Sequence, residues 1–224
     1  MNKPVIVIMT KVPLPGLVKT RLKERFSDEE CAKIYQAFLL DTFSCAQESG
    51  FEVRIAYTPQ EYLHVLEFML PVKTHFFPQK GHDLGEKMFN ALCNVQNERK
   101  CKVILIGCDI PLLQPEHLLA ANKALDEHDI CLGPTTDGGY YLLGTKEPVR
   151  KIFENITWGS ECVLKETLQA IANAKLKYYL LEKLQDIDTC ADIENLCCLL
   201  KERKQINLSR PLHTIRVFEE LSLL

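Results

Sequence analysis

The chain has 224 residues, 46% hydrophobic and 25% charged, with a formal net charge of −3. That length suits one α/β domain spanning 1–224, and the mild negative charge excludes general attraction to nucleic acid or an anionic bilayer. No apolar run approaches the roughly 20 residues that a membrane-spanning helix needs.

Strand and helix patterns alternate along the chain. Val5–Met9 reads as a first buried strand; it is too short for a secretory signal and has no small-residue cleavage site after it, so a cytoplasmic protein is expected. A turn-rich loop, Lys11-Val12-Pro13-Leu14-Pro15-Gly16, follows. Ser27-Asp28-Glu29-Glu30 fits a capping box, opening a helix whose Cys31, Ile34, Tyr35, Phe38 and Leu39 share an apolar face. Glu52–Tyr57 is a second strand, Glu61–Leu70 a helix and Val72–Phe77 a third strand. Asp83 is placed to cap a helix running to about Val95, with Leu84, Met88 and Leu92 on one stripe. Val103–Gly107 is a fully apolar strand, expected to stop by Asp109 because Pro111 cannot donate to a ladder. Pro115–Leu125 is a helix, and Ile130–Gly133 and Tyr140–Gly144 are strands flanking Asp137-Gly138-Gly139. The short turn makes the Tyr140 strand antiparallel. A helix from Ser160 to about Ala172, a strand at Leu176–Leu181, a helix capped by Thr189 with Asp192 and a terminal helix at Ile215–Leu224 complete the pattern. Such alternation predicts a mostly parallel sheet covered on both faces.

Five segments carry the chemistry. Gly107-Cys108-Asp109 puts an acid beyond a buried strand, where open α/β sheets bind ligands; a solvated acid ending a strand would give the same letters. Gly16 through Leu22 supplies a backbone bend and two cations, Lys19 and Arg21, suited to phosphate, or else an ordinary basic helix start. It is neither a Walker loop nor a G-x-G-x-x-G. Gln79-Lys80-Gly81-His82-Asp83 feeds a helix N-terminus, with Asp83 read first as its cap and Gln79 and Gly81 as ligand contacts. Asp137-Gly138-Gly139 suits both a hairpin turn and a close backbone approach to a ligand. Farther on, Asp186-Ile187-Asp188-Thr189 offers carboxylates for a divalent cation, which favours one or two acids plus phosphate oxygens; helix capping is the alternative.

The ten cysteines are scattered without C-x-x-C or zinc spacing, so they read as small core residues; Cys108, beside Asp109, is the one to watch. The six histidines sit in no nucleophile-activating pattern, and no protein nucleophile is assigned.

Five ordered motifs together resemble a known family: Lys11-x-Pro13-x-Pro15-Gly16-x-Val18-Lys19-Thr20-Arg21-Leu22, Gln79-x-Gly81-x-Asp83-Leu84-Gly85, Gly107-x-Asp109-x-Pro111, Gly133-Pro134-x-x-Asp137-Gly138-Gly139-Tyr140-Tyr141 and Asp188-Thr189. Over about residues 4–195 the chain is similar to the radical-SAM/selenodomain-associated transferase 1 family, itself related to molybdopterin and 2-phospholactate guanylyltransferases. The resemblance implies a three-layer α/β/α, Rossmann-like nucleotide-diphospho-sugar transferase (glycosyltransferase-A-like) fold. It further implies nucleotide contacts from Thr10, Gly16, Lys19, Arg21, Gln79, Gly81 and Asp109, with Lys19, Arg21 and Asp109 catalytic. By the same resemblance Mg²⁺ (or Mn²⁺) would sit on Asp109 and Asp188, and the substrate on Asp137, Gly138, Gly139 and Trp158. The chain departs from the pattern in lacking Gly-Gly-x-Gly-x-Arg after the first strand, in carrying Trp158-Gly159-Ser160 for Trp-Ser-Thr, and in having Cys190 where proline is usual.

The expected activity is transfer of an NMP from an NTP to a phosphorylated small molecule, with pyrophosphate leaving; a homodimer is compatible with it. Two alternatives stand beside it: glycosyl transfer from a nucleotide sugar, and nucleotide binding without catalysis. Fold alone does not choose among them.

Overall fold

A computed structural model describes residues 3–203 and 211–224. Seven strands form one sheet: β1 (Val5–Lys11), β2 (Glu52–Thr58), β3 (His75–Pro78), β4 (Val103–Ile106), β5 (Ile130–Pro134), β6 (Tyr140–Thr145) and β7 (Tyr178–Leu180). Their spatial order is β3-β2-β1-β4-β6-β5-β7. All neighbours run parallel except β6, which is antiparallel to both β4 and β5 as its short turn requires. The chain reverses direction across the sheet between β1 and β4, so the loops leaving these strands diverge and leave a crevice.

Alternation in the strands sends side chains to two cores. Ile6, Ile8, Ile104 and Ile106 face one side, under α1 (Asp28–Glu48), α2 (Leu63–Met69) and α4 (Pro115–Glu127). Val5, Val7, Val103 and Leu105 face the other, under α3 (Leu84–Glu98) and α5 (Val163–Asn173). This is the expected three-layer α/β/α arrangement.

A third core lies outside those layers. α1 turns Tyr35, Leu39 and Phe43 to the sheet, and Cys31, Ile34 and Phe38 outward. The outward face is covered by α6 (Cys190–Arg203) and α7 (Leu212–Glu220), with Phe38 meeting Phe218 edge-on at 6.5 Å. Leu22 and Ile187 belong to the same cluster. Two loops far apart in sequence, after β1 and after β7, are thereby anchored in one apolar body.

Helix starts follow their local chemistry. Ser27 and Glu30 form the reciprocal cap of α1, at 3.2 and 2.7 Å. The Asp83 carboxylate accepts from the Glu86 amide at 2.8 Å, capping α3. Thr189 and Asp192 bond reciprocally before α6. Four expected boundaries are corrected. The third strand starts at His75 rather than Val72, because the Thr74 amide closes a turn on the Pro71 carbonyl. The helix expected from Ser160 starts at Val163, since Ser160 donates to the Thr157 carbonyl in a preceding turn. The last strand is trimmed to Tyr178–Leu180, as the Leu176 amide is spent closing α5 on Ile171. The terminal helix is α7, running Leu212–Glu220 rather than Ile215–Leu224.

Candidate active site

The loops at the carboxyl edge of the parallel strands enclose two adjoining cavities. One, of about 460 Å³, is lined by Thr10, Lys11, Lys19, Arg21, Gln79 and Lys87, among others. Its neighbour, of about 380 Å³, is lined by Asp137, Gly139, Trp158, Ser160 and Asp186, among others. Met9, Arg21, Leu84, Asp109 and Asp188 border both. The first cavity is rich in cations and the second in carboxylates, with Asp109 and Asp188 on the seam.

Lys19 organises that seam. Its backbone is left-handed (φ 47°), the residue before a 3₁₀ turn over Thr20–Glu24. The side chain is 3% exposed, and its ammonium lies 2.5 Å from Asp109 Oδ1 and 2.8 Å from Asp188 Oδ1. It also donates to the Ile187 carbonyl at 2.6 Å. Burial works to lower the Lys19 pKa, but Asp109 and then Asp188 outweigh burial and raise it above the ordinary lysine value, so the ammonium stays charged. The two acids are 44% and 38% exposed and open to the cleft. The Ile187 amide donates to the Asp109 carbonyl at 3.0 Å, stitching the two acid-bearing loops together. Arg21 stands further out, 70% exposed, with its guanidinium 3.9 Å from Asp188 Oδ2.

Beneath Asp109 the floor is sealed. Thr10 Oγ1, Tyr35 OH and Cys108 Sγ form a buried triangle with edges of 3.1, 3.5 and 3.0 Å. Burial and then the Asp109 charge push the Cys108 thiol up to about 12. Cys108 is therefore a neutral packing group, not a nucleophile. All ten cysteines are unpaired thiols.

The remaining motif residues sort by what they touch. Gln79 uses its amide nitrogen to bridge the Thr10 and Ala56 carbonyls, at 3.1 and 2.8 Å, across the ends of β1 and β2. Gly81 and Gly16 line neither cavity. Gly81 lies so close to the first turn of α3 that a Cβ there would meet Glu86 at 2.6 Å. Asp137 closes its own turn, accepting from the Thr135 hydroxyl at 2.5 Å and the Gly139 amide at 2.9 Å. Gly138 (φ 93°) packs against the Glu161 backbone, leaving no room for a side chain. Trp158 forms a wall of the acid-lined cavity and sits over Gly85, where an added Cβ would press the indole at 2.6 Å.

Sequence reasoning missed Tyr35, Lys11, Lys87, Met88 and a separate role for Asp186. Burial, followed by Asp137, pushes the Asp186 carboxyl up to about 6, marking an acid side of the cleft. Nothing local distinguishes Lys87 or Tyr35 from ordinary helix residues; each is selected by the side of its helix that meets the crevice.

This fold, with its two-part cleft at the β1/β4 crossover, defines a nucleotide-diphospho-sugar-transferase-like α/β protein. The chain belongs to the DUF2064 family, described as "Uncharacterized protein conserved in bacteria", whose profile matches residues 40–160. It is similar to 2-phospho-L-lactate guanylyltransferase of Methanocaldococcus jannaschii, at 27% identity over 190 residues, 84% of this chain and 80% of that one. It is also similar to a crystal structure from Desulfovibrio desulfuricans G20 provisionally named a nucleotide-diphospho-sugar transferase. That pair has a TM-score of 0.89 and 29% identity over 99% of this chain and 97% of the other. The fold is shared too with CMP:2-keto-3-deoxy-manno-octonic acid synthetase complexed with CTP, at TM-score 0.55 and 14% identity over 90% of this chain and 100% of that one. These likenesses bear out the kinship drawn from the five motifs.

Proposed function

We propose that this chain is a nucleotidyltransferase that moves an NMP from an NTP to a phosphorylated small molecule. An acceptor phosphate oxygen bonds to the α-phosphorus, the bond from that phosphorus to the α–β bridging oxygen breaks, and pyrophosphate leaves. The observation that carries the reading is the Lys19–Asp109–Asp188 cluster on the seam between a cation-lined and an acid-lined cavity. Such a reaction needs positioning and charge neutralisation rather than a protein nucleophile.

Roles follow from position. Lys11, Lys19, Arg21 and Lys87 line the cavity that receives the triphosphate, where fixed cations stabilise charge on the departing pyrophosphate. Thr10 and Gln79 close its floor, and Gly16 shapes the loop that presents Lys19. Asp137, Gly139 and Trp158 line the side that receives the acceptor, with Gly138 holding the turn. Asp109 and Asp188 fit a divalent cation, because two partly exposed carboxylates from separate loops reach a common point and phosphate oxygens would complete the shell. Bound there, Mg²⁺ or Mn²⁺ would offset phosphate charge and orient the α-phosphate. Ten unpaired thiols suit the reducing cytoplasm, and no helix among the described residues is long and apolar enough to cross a membrane.

The guanylyltransferase relative makes GTP with a phosphorylated hydroxy acid the first pair to test. The decisive assay is pyrophosphate release from each NTP across a panel of phosphorylated acceptors, with Asp109→Asn as control. The Desulfovibrio likeness keeps glycosyl transfer as the second reading. Release of a nucleoside diphosphate from a nucleotide sugar, without pyrophosphate from any NTP, would favour it.

A further inference from the structure

The Lys19 ammonium has three N–H donors, and three acceptors meet it: Asp109 Oδ1, Asp188 Oδ1 and the Ile187 carbonyl. Its side chain is 3% exposed, and the ammonium lies 5.6 Å from the Phe38 ring centroid and 6.0 Å from that of Tyr35. A lysine so placed is no mobile surface cation. It occupies the point to which both candidate metal ligands converge.

A divalent ion shared by the same two Oδ1 atoms would overlap the ammonium. One bound through the outer oxygens would still face Lys19 across the carboxylates and, on the Asp188 side, the Arg21 guanidinium at 3.9 Å. Like charges at such range in a partly desolvated cleft oppose one another strongly. Removing the ammonium would leave two close carboxylates sharing no cation, an arrangement that demands a replacement.

We propose that Lys19 is the resident counter-ion of the Asp109–Asp188 pair, which keeps metal affinity low until a triphosphate brings the divalent ion with it. This inference rests on the metal role assigned above to those acids. The incoming phosphates supply acceptors for the Lys19 ammonium, and the acids it releases become available to the metal. The protein thus avoids holding a tightly bound metal in an empty site, and donor nucleotide and metal enter together.

The test is Mn²⁺ binding to nucleotide-free protein, read as loss of the free-ion electron paramagnetic resonance signal. Wild type, Lys19→Met, Lys19→Arg and Lys19→Met/Asp109→Asn are compared, and wild type is repeated with saturating GTP or CTP against a protein-free nucleotide control, so that only Mn²⁺ held by the protein–nucleotide complex is counted. Lys19→Met is expected to bind Mn²⁺ about tenfold or more tightly than wild type. Lys19→Arg, which retains the charge, should stay weak, and Asp109→Asn should remove the gain. In wild type, nucleotide should raise Mn²⁺ affinity by a similar factor. The wild-type comparison stands even if Lys19→Met does not fold. Equal nucleotide-free affinity in wild type and Lys19→Met overturns the proposal, as does wild-type affinity that nucleotide leaves unchanged. Absence of Mn²⁺ binding in every protein, with or without nucleotide, overturns the metal role of the acids as well.

Discussion

The two halves of the cleft are built from opposite charges on one scaffold. On the β1–β2–β3 side, Lys11, Lys19, Arg21 and Lys87 surround a cavity with few acids. On the β4–β6–β5 side, Asp137 and Asp186 join Asp109 and Asp188 around a cavity walled by Trp158, and Arg21 is the sole cationic side chain lining it among the described residues. On the proposed reading, the first side receives a highly charged anion. The other is apolar and acidic, so an anionic acceptor placed there depends on cations supplied from the seam. Opposite charges meet at the boundary, in the contact of Lys19 with Asp109 and Asp188, which is where the proposed reaction is placed.

The largest effect is expected at Asp109. Asp109→Asn keeps the shape but removes a charge used by both halves, and kcat for pyrophosphate release is expected to fall by about 10²–10³-fold. Wild-type turnover in this variant would remove Asp109 from the reaction. Arg21→Ala strips an exposed cation from the nucleotide side, and kcat/KM for the NTP should drop by roughly 10- to 100-fold. Steady-state kinetics with the NTP varied reads this directly; an effect confined to acceptor KM would reassign Arg21. Trp158→Ala opens the opposite wall. The acceptor KM should rise about tenfold while the NTP KM holds, the loss of one buried aromatic contact surface. Parallel changes in both KM values would show the halves are not independent.

The smallest effect should come from outside the cleft. Asp41 of α1 accepts from the His213 amide at 2.9 Å and from the Thr214 amide and hydroxyl at 2.8 and 2.6 Å, tying down the start of α7. Asp41→Ala leaves those donors without their partner and should lower unfolding free energy by about 1–3 kcal/mol. Denaturant titration measures the loss; kcat should be unchanged, since α7 touches the site only through the third core.

Much of the fold was legible because its causes are local. The apolar runs at Val5 and Val103, the capping pairs Ser27/Glu30 and Thr189/Asp192 and the hairpin glycines each act over a few residues. Boundaries shifted where a turn outcompeted the pattern, as Thr74 did before β3 and Ser160 before α5. Among the motif residues, Asp83 proved readable as a cap for the same local reason. Gln79 did not, because its amide reaches back to Thr10 and Ala56 on strands not adjacent in sequence.

The alternation of strands and helices, the antiparallel return of β6, and the acids and cations standing at strand ends are all written in the chain's local pattern. These follow from hydrophobic period, turn chemistry and backbone freedom over short spans. The packed fold alone brings Lys19 to Asp188 across 169 residues and lets it share its ammonium with Asp109. The same packing lets Gly85 make room for Trp158 and parts the cations and carboxylates into two cavities. Those meetings depend on the third core, where Leu22 and Ile187 pack with α1 and fix two distant loops against each other. No local spacing encodes that distance, because it is set by the packing of elements and not by the chain between them.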